Sequence, residues 1–278
     1  MDDKVQFCSL PGTGLSDFVD RFAEESGNYP FETFFVVSTL RLKSEVARRI
    51  HEKGMPILKD RICTLGEIAK FIFSEHLPSF SCISDEESKL IISHIISENS
   101  QSLSLFMNNG RVSIKFVQEL KRFISTLIQR KIDYPACLGE LQSDKSRQLA
   151  FVYSNYLKFL SNNHIVDDDI LLNEATECVS KKRTVIKRIF MYGFFEPSPL
   201  EREFIAALGS SSTKFHYGMP FADNSRIFAD RGDWLPAVQR VSVESNPENA
   251  RLSQLFAEAQ EFDLSERIFF AKFKDRVS

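Results

Sequence analysis

Apolar positions in the first eighty residues follow two alternating patterns. Residues 5–10 (VQFCSL) and 33–38 (TFFVVS) are short strand-like runs. The second is apolar at consecutive positions, as in a parallel strand covered on both faces. Between them Phe18, Val19 and Phe22 lie at helical spacing, which predicts an amphipathic helix opened by Ser16 or Asp17. A charged helix is predicted over residues 40–53 and a third strand over 57–63. Thr64 is then placed to cap a helix over 65–76. Alternation of strand and helix at this pitch predicts βαβ units on a parallel sheet.

From residue 84 to about 177 the strand pattern stops and only helical periodicity remains. Over residues 112–131, Phe116, Val117, Leu120, Phe123, Ile124, Leu127 and Ile128 recur every three or four positions. A second helix is predicted over 143–162, and a third begins at the run Asp167, Asp168, Asp169. Adjacent carboxylates on one helix cannot converge on one ion, and aspartate favours N-caps and first turns, so this run reads as a helix start. Strand character returns at 185–195, followed by a turn at 196–199, a helix at 200–208 and a strand at 213–219. Residues 224–248 read as irregular and polar, 249–262 as a helix and 267–273 as a last strand. A parallel strand ordinarily feeds a crossover. Only five residues follow this one, so the chain is expected to be part of a longer protein. The organisation predicted is α/β: residues 1–83 form the first part of a parallel-sheet domain, 84–180 a helical insertion and 181–278 the second part.

Composition narrows the class. With 278 residues, 43% hydrophobic and 26% charged, the chain can bury a full core, which excludes disorder and disulfide-scaffold folds. The 26 phenylalanines, against 6 tyrosines and 1 tryptophan, read as core because phenylalanine has no polar handle. A net charge of −3 excludes a wholly basic nucleic-acid glove. Five cysteines stand apart with no C-x-x-C pair, and five histidines show no metal-ligand spacing. The start carries two acids and no long apolar stretch, and the most apolar strand-like run, residues 189–195, is far short of the ~20 residues of a membrane span. A cytoplasmic protein without membrane contact is expected.

The chemistry-bearing candidates begin with the turn after the first strand. A P-loop reads G-x-x-x-x-G-K-[ST], its backbone amides and lysine holding phosphates and its hydroxyl holding Mg²⁺. Residues 9–16 here read SLPGTGLS: Gly14 and Ser16 are in place, but Ser9 replaces the first glycine and Leu15 the lysine. Asp17 adds a negative charge where an anion would sit. Gly12, Thr13, Gly14 and Ser16 are therefore candidates for a degenerate nucleotide site.

Three further segments follow in order. Residues 37–50 (VSTLRLKSEVARRI) resemble the segment after the second strand of UvrD-like superfamily 1 helicases, matching at Thr39, Glu45, Arg49 and Ile50. TLGEIA at 64–69 resembles the next motif of that family, with Gly66 at the family's histidine. HIVDDDILLNEA at 164–175 resembles the aspartate-rich helix start before its Walker B strand. IFMYGFFEPSPL at 189–200 lies where Walker B belongs, with Tyr192 and Gly193 in place of the Asp-Glu pair that holds Mg²⁺ and activates water. A strand ending in Gly-Phe, then Pro199, Leu200 and Glu201, resembles one branch: the AddB-type subunit of ATP-dependent helicase–nucleases.

The resemblance implies a RecA-like P-loop NTPase fold with a large helical insertion, acting in double-strand-break end processing and recombinational repair beside a motor partner. A PD-(D/E)XK nuclease domain would lie outside these residues. With both halves of the nucleotide site altered, an inactive, DNA-holding scaffold without ATPase activity is expected. No cofactor is expected, with ATP and Mg²⁺ entering only if the degenerate site works. The resemblance also places Thr39, Arg41, Lys43 and Thr64 on strand-end loops facing single-stranded DNA. Residues 111–131 carry six cations (Arg111, Lys115, Lys121, Arg122, Arg130, Lys131) against Glu119, and 181–188 carry a second basic cluster. Each is either a solvated face or a phosphate-contacting one, with Lys115 and Arg122 the candidates of the first. Two other readings stay open: an active motor using a lysine from elsewhere, and a protein-interaction domain that touches no DNA.

Overall fold

The computed structural model describes residues 3–9, 14–56, 58–76, 80–108, 111–139, 143–181, 186–194, 196–220, 235 and 239–242. Its elements run β1 (Asp3–Ser9), α1 (Leu15–Asn28), β2 (Thr33–Val37), α2 (Leu40–Glu52), β3 (Ile62–Thr64) and α3 (Leu65–His76). Then come β4 (Ser81–Cys82), α4 (Asp85–Glu98), β5 (Met107–Asn108), β6 (Arg111–Val112), α5 (Ile114–Gln129), α6 (Asp144–Asn162) and β7 (Ile165–Val166). The chain continues through α7 (Asp168–Ser180), β8 (Arg188–Tyr192), α8 (Pro199–Ser211), β9 (Lys214–Pro220) and β10 (Gln239–Ser242). The helix and strand expected at 249–262 and 267–273 lie outside the described residues.

The main sheet has six strands in the order β10-β1-β9-β8-β2-β3, and every pairing in it is parallel. Its strands alternate strictly between two cores. Phe34 and Val36 of β2, Ile189 and Met191 of β8, and Phe215 and Tyr217 of β9 pack with α3, α7 and α8. Phe35 and Val37 of β2 and Phe190 of β8 face the other way, against Phe18, Val19 and Phe22 of α1 and Val46 and Ile50 of α2. Both faces are covered, and all five residues of β2 are buried. That is why this strand shows no polar alternation in sequence. Many of the phenylalanines are core: Phe22 meets Phe35 edge-on at 5.0 Å and Phe190 at 5.6 Å.

A third core fills the helical block. Ile92 and Ile96 of α4, Leu120, Ile124 and Leu127 of α5, and Val152 and Tyr156 of α6 form its centre. The chain enters and leaves this block through a parallel two-stranded neck, β4 against β7, where Ser81 pairs with Ile165 and Cys82 with Val166. Helix α7 follows directly, and its Leu171, Leu172, Ala175 and Val179 join the sheet core.

Several expectations need correction. The α1 helix opens not on Ser16 or Asp17 but on Gly14, at φ 83°, a left-handed backbone that glycine adopts without a Cβ penalty. The stretch from 84 to 177 does contain strands, β5 to β7, each of two residues and too short to carry a period of two. Within 224–248, read as irregular, Gln239–Ser242 forms an edge strand whose partner is β1, more than 200 residues away in sequence. Such pairing leaves little local signal.

Candidate functional site

Because all main-sheet strands are parallel, their carboxyl ends share one edge, and the residues singled out in sequence collect there. Gly12 and Thr13 lie outside the described residues. Gly14 is the N-cap of α1, its carbonyl accepting from the Phe18 N–H at 3.0 Å. Leu15, at the lysine position of a P-loop, packs against the α1–α2 core. The exposed Ser16 hydroxyl accepts a hydrogen bond from Arg49 Nη1 of α2 at 2.7 Å, and Arg49 Nε donates to Glu45 at 2.7 Å. Hydrogen bonds from Arg48 and Arg49 hold the Glu45 carboxyl down at about 2. Glu45 and Arg49, which matched the helicase segment, thus brace the α1 start through Ser16.

The end of β8 lies beside this turn. Tyr192 packs its ring against Phe18 with centroids 5.6 Å apart, and a Cβ built on Gly218 would stand 2.5 Å from Tyr192 Cδ2. Gly193 turns at φ 91°, and a Cβ there would lie 2.6 Å from Leu42 Cδ2 and 2.8 Å from Ser38 Oγ. The two positions expected from sequence to stand in place of an acid pair are thus an aromatic ring packed on the sheet and a backbone close to the start of α2.

At the ends of β2 and β3, Thr39 caps α2 by accepting from the Leu42 N–H at 3.2 Å. Arg41 is exposed in the first turn of α2. Thr64 and Glu67 cap α3 reciprocally: the Thr64 hydroxyl accepts from the Glu67 N–H at 3.3 Å and Glu67 Oε2 accepts from the Thr64 N–H at 2.7 Å. Lys43 Nζ donates to both Glu67 oxygens at 2.7 and 2.8 Å. Partial burial would raise the Glu67 carboxyl, but the hydrogen bonds from Lys43 and Thr64 outweigh it and hold it below the usual carboxylate range. Glu67 was not singled out in sequence, although its Thr-x-x-Glu spacing is a capping signal. The starts of α3, α7 and α8 converge on a cleft of about 320 Å³ lined by Thr64, Lys70, Gln129, Asp168 and Glu201 among others.

Within the helical block, Lys115 and Arg122 are both exposed on α5, and Arg122 Nη1 donates to both oxygens of Glu119 at 2.9 Å. Gln129 at the far end of α5 lines the cleft with Thr64. Lys115 is 14 residues away from it, about 21 Å along the helix axis. The structure does not gather Lys115 with the strand-end residues.

Lys121, counted in the same basic cluster, is buried. Its ammonium lies 3.0 Å from Asp167 Oδ2 and 3.3 Å from Asp169 Oδ2. The Tyr156 hydroxyl donates to Asp167 Oδ2 at 2.6 Å. Burial alone would lower the Lys121 pKa; the two carboxylates outweigh it and raise it. Periodicity carried the signal, since position 121 is four after Val117 and three before Ile124, both buried. In the aspartate run, Asp167 is the α7 N-cap, accepting from the Ile170 N–H at 2.9 Å.

The second basic cluster is also spoken for where it is described. Lys181 pairs with Glu177, Lys187 with Glu32, and Arg188 with Glu25 and Glu32. Lys182 and Arg183 lie outside the described residues. Among the described residues no group of three or more His, Cys, Asp or Glu could hold a metal ion, and no helix is long and apolar enough to cross a membrane. Burial, with the Glu67 charge adding to it, pushes the Cys63 thiol up to about 12, so it is unreactive.

A family model described as "ADDB, N-terminal" matches residues 38–230. Among curated proteins, none matches.

Proposed function

The chain belongs to the family described as "ADDB, N-terminal", and from that premise we propose that it is a RecA-like, helicase-related scaffold that has lost nucleotide hydrolysis and holds DNA. Membership implies a role in AddAB-type DNA repair and recombination, in a complex with a partner subunit and DNA. A parallel sheet with helices on both faces and a helical block between its halves is the architecture such a fold requires.

One observation carries the loss of hydrolysis: the carboxyl end of β8. A P-loop motor needs acids there to hold Mg²⁺ and orient water. Gly193 has a left-handed φ of 91°, where a Cβ would also meet the Leu42 and Ser38 side chains, and the Tyr192 ring packs against Phe18 instead of presenting a carboxylate. At the other half of the site Leu15 is turned to the core and Ser16 is held by Arg49. Among the described residues, this donor set does not fit a Mg²⁺–nucleotide: no lysine follows Gly14, the nearby Arg49 is engaged by Ser16 and Glu45, and the end of β8 presents no carboxylate. The region's contribution is then to position DNA and a motor partner.

The test is steady-state ATP hydrolysis with and without DNA, together with equilibrium binding of a fluorescent ATP analogue in Mg²⁺. No turnover above buffer and no saturable binding are expected. Mg²⁺-dependent turnover that disappears on Ser16→Ala would overturn the reading in favour of an active motor.

A further inference from the structure

The end of the helical block remote from the sheet carries an unusual pairing of side chains. Helix α4 starts beside the neck and runs 14 residues outward, and α5 runs 16 residues back to the cleft. At 1.5 Å per residue, α5 spans about 24 Å between the β5–β6 hairpin and the cleft. The hairpin ladder is antiparallel, pairing Met107 with Val112 and Asn108 with Arg111. Leu105 lies in a 3-10 turn just before β5, and Ile114 opens α5 just after β6. Leu105 is 58% exposed and Ile114 79%. Below them the buried Phe106 ring packs against Phe116 with centroids 4.9 Å apart, which fixes the root of the hairpin. Arg111 and Lys115 lie on either side of Ile114 in sequence, both exposed, and neither has an ion-pair partner among the described residues. That sets them apart from Arg122, Lys181, Lys187 and Arg188, all of which are paired.

Two aliphatic chains held out into water near unpaired cations fit a polyanion with an apolar interior. Aliphatic residues act on nucleic acid as wedges against or between stacked base pairs, whereas single strands are held on aromatic platforms. The cations would sit on the flanking phosphates. We infer that the surface at the base of this hairpin is a duplex-DNA contact in which Leu105 and Ile114 press on the base stack and Arg111 and Lys115 hold the backbone. The inference rests on the DNA-holding reading above and names its contact surface.

The probe is a short fluorescein-labelled duplex with 2-aminopurine in its terminal base pair, titrated with the whole chain at several salt concentrations. The parent protein is expected to bind, with affinity falling as salt rises and with 2-aminopurine brightening as the end unstacks. Arg111→Gln with Lys115→Gln is expected to reduce the slope of log affinity against log salt by about 2, near 0.9 per lost phosphate contact. Leu105→Ser with Ile114→Ser is expected to keep that slope and abolish the brightening, with an unchanged circular dichroism melt because neither chain is packed. Duplex binding indifferent to all four substitutions would overturn the inference and leave the DNA-holding reading standing, as would binding of the single strand alone. Failure of the parent to bind either DNA at low salt would remove both, and the surface would then be a protein contact.

Discussion

Gly193 sits at φ 91°, with Leu42 Cδ2 and Ser38 Oγ where a Cβ would point. Both neighbours are short side chains able to shift, so the backbone angle is the larger obstacle for any other residue. Left-handed conformations cost non-glycine residues about 1–3 kcal/mol when the surroundings hold them in place. Gly193→Ala is therefore expected to lower stability by about that amount in urea titration, at a position next to no ligand. A variant as stable as its parent would mean that the loop relaxes freely, and the steric account of the missing acid would fall. Next to Gly193, Tyr192 stands over Gly218, so the aromatic ring and the second glycine belong together.

At the scale of elements, helix starts are defined by paired caps. Ser84 with Glu87 and Ser198 with Glu201 form complete capping boxes, and Pro199 opens α8 with the φ a first turn needs. The joint between α5, α6 and α7 works differently. One ammonium serves two carboxylates, Tyr156 donates to one of them, and Gln129 donates to Asp169 at 2.9 Å. Burial, reinforced by the Asp167 charge, pushes the Tyr156 phenol up, which favours the protonated form that donates to Asp167. Removing the ammonium would leave two buried anions facing each other. Lys121→Met is expected to cost about 3–5 kcal/mol, and adding Asp169→Asn to recover part of it. Additive losses in a double-mutant cycle by chemical denaturation would show that the two side chains are not coupled.

The whole molecule rests on three cores joined at two points. Ile128 of α5 and Ile170 of α7 pack against both the sheet core and the helical-block core, so the block is attached by apolar contact as well as by its neck. At the amino ends of the strands, Glu25 of α1 accepts from Arg188 Nε at 2.7 Å and from Lys214 Nζ at 2.6 Å, tying α1 to β8 and β9. Arg188 also lies over the Tyr29 ring at 3.5 Å. Burial would raise the Glu25 pKa, but hydrogen bonds from Lys214 and Arg188 outweigh it and hold it below its ordinary value of 4.5. A carboxylate depressed in the folded state stabilises the fold above its unfolded pKa, and that stabilisation is lost as pH falls through the folded one. Glu25→Gln is expected to be less stable than the parent at neutral pH, with the gap closing once pH drops below about 4.5. A gap of constant size down to acid unfolding would assign the loss to packing instead of charge.

Much of this was legible in sequence, and what escaped did so for physical reasons. The parallel sheet announced itself through TFFVVS, because burial on both faces removes polar positions. The helices of the block announced themselves through apolar spacing, and the aspartate run through the capping preference of a short acceptor side chain. Each is a local property, set by neighbours within a turn or a strand. The two-residue strands of the neck and hairpin and the β10 edge were beyond local reach, because two or four residues carry no period, and the partners of the neck and of β10 lie far along the chain. Charge was misread for the same reason: six cations over residues 111–131 read as one basic cluster, but burial turned Lys121 inward onto two aspartates that follow more than forty residues later. That Leu15, Tyr192 and Gly193 depart from the P-loop and Walker B patterns was plain from the letters. Only the tertiary structure decided what these residues touch, since Leu15 meeting a core, Tyr192 a neighbouring strand and Gly193 the first turn of α2 are contacts between segments that local sequence cannot bring together.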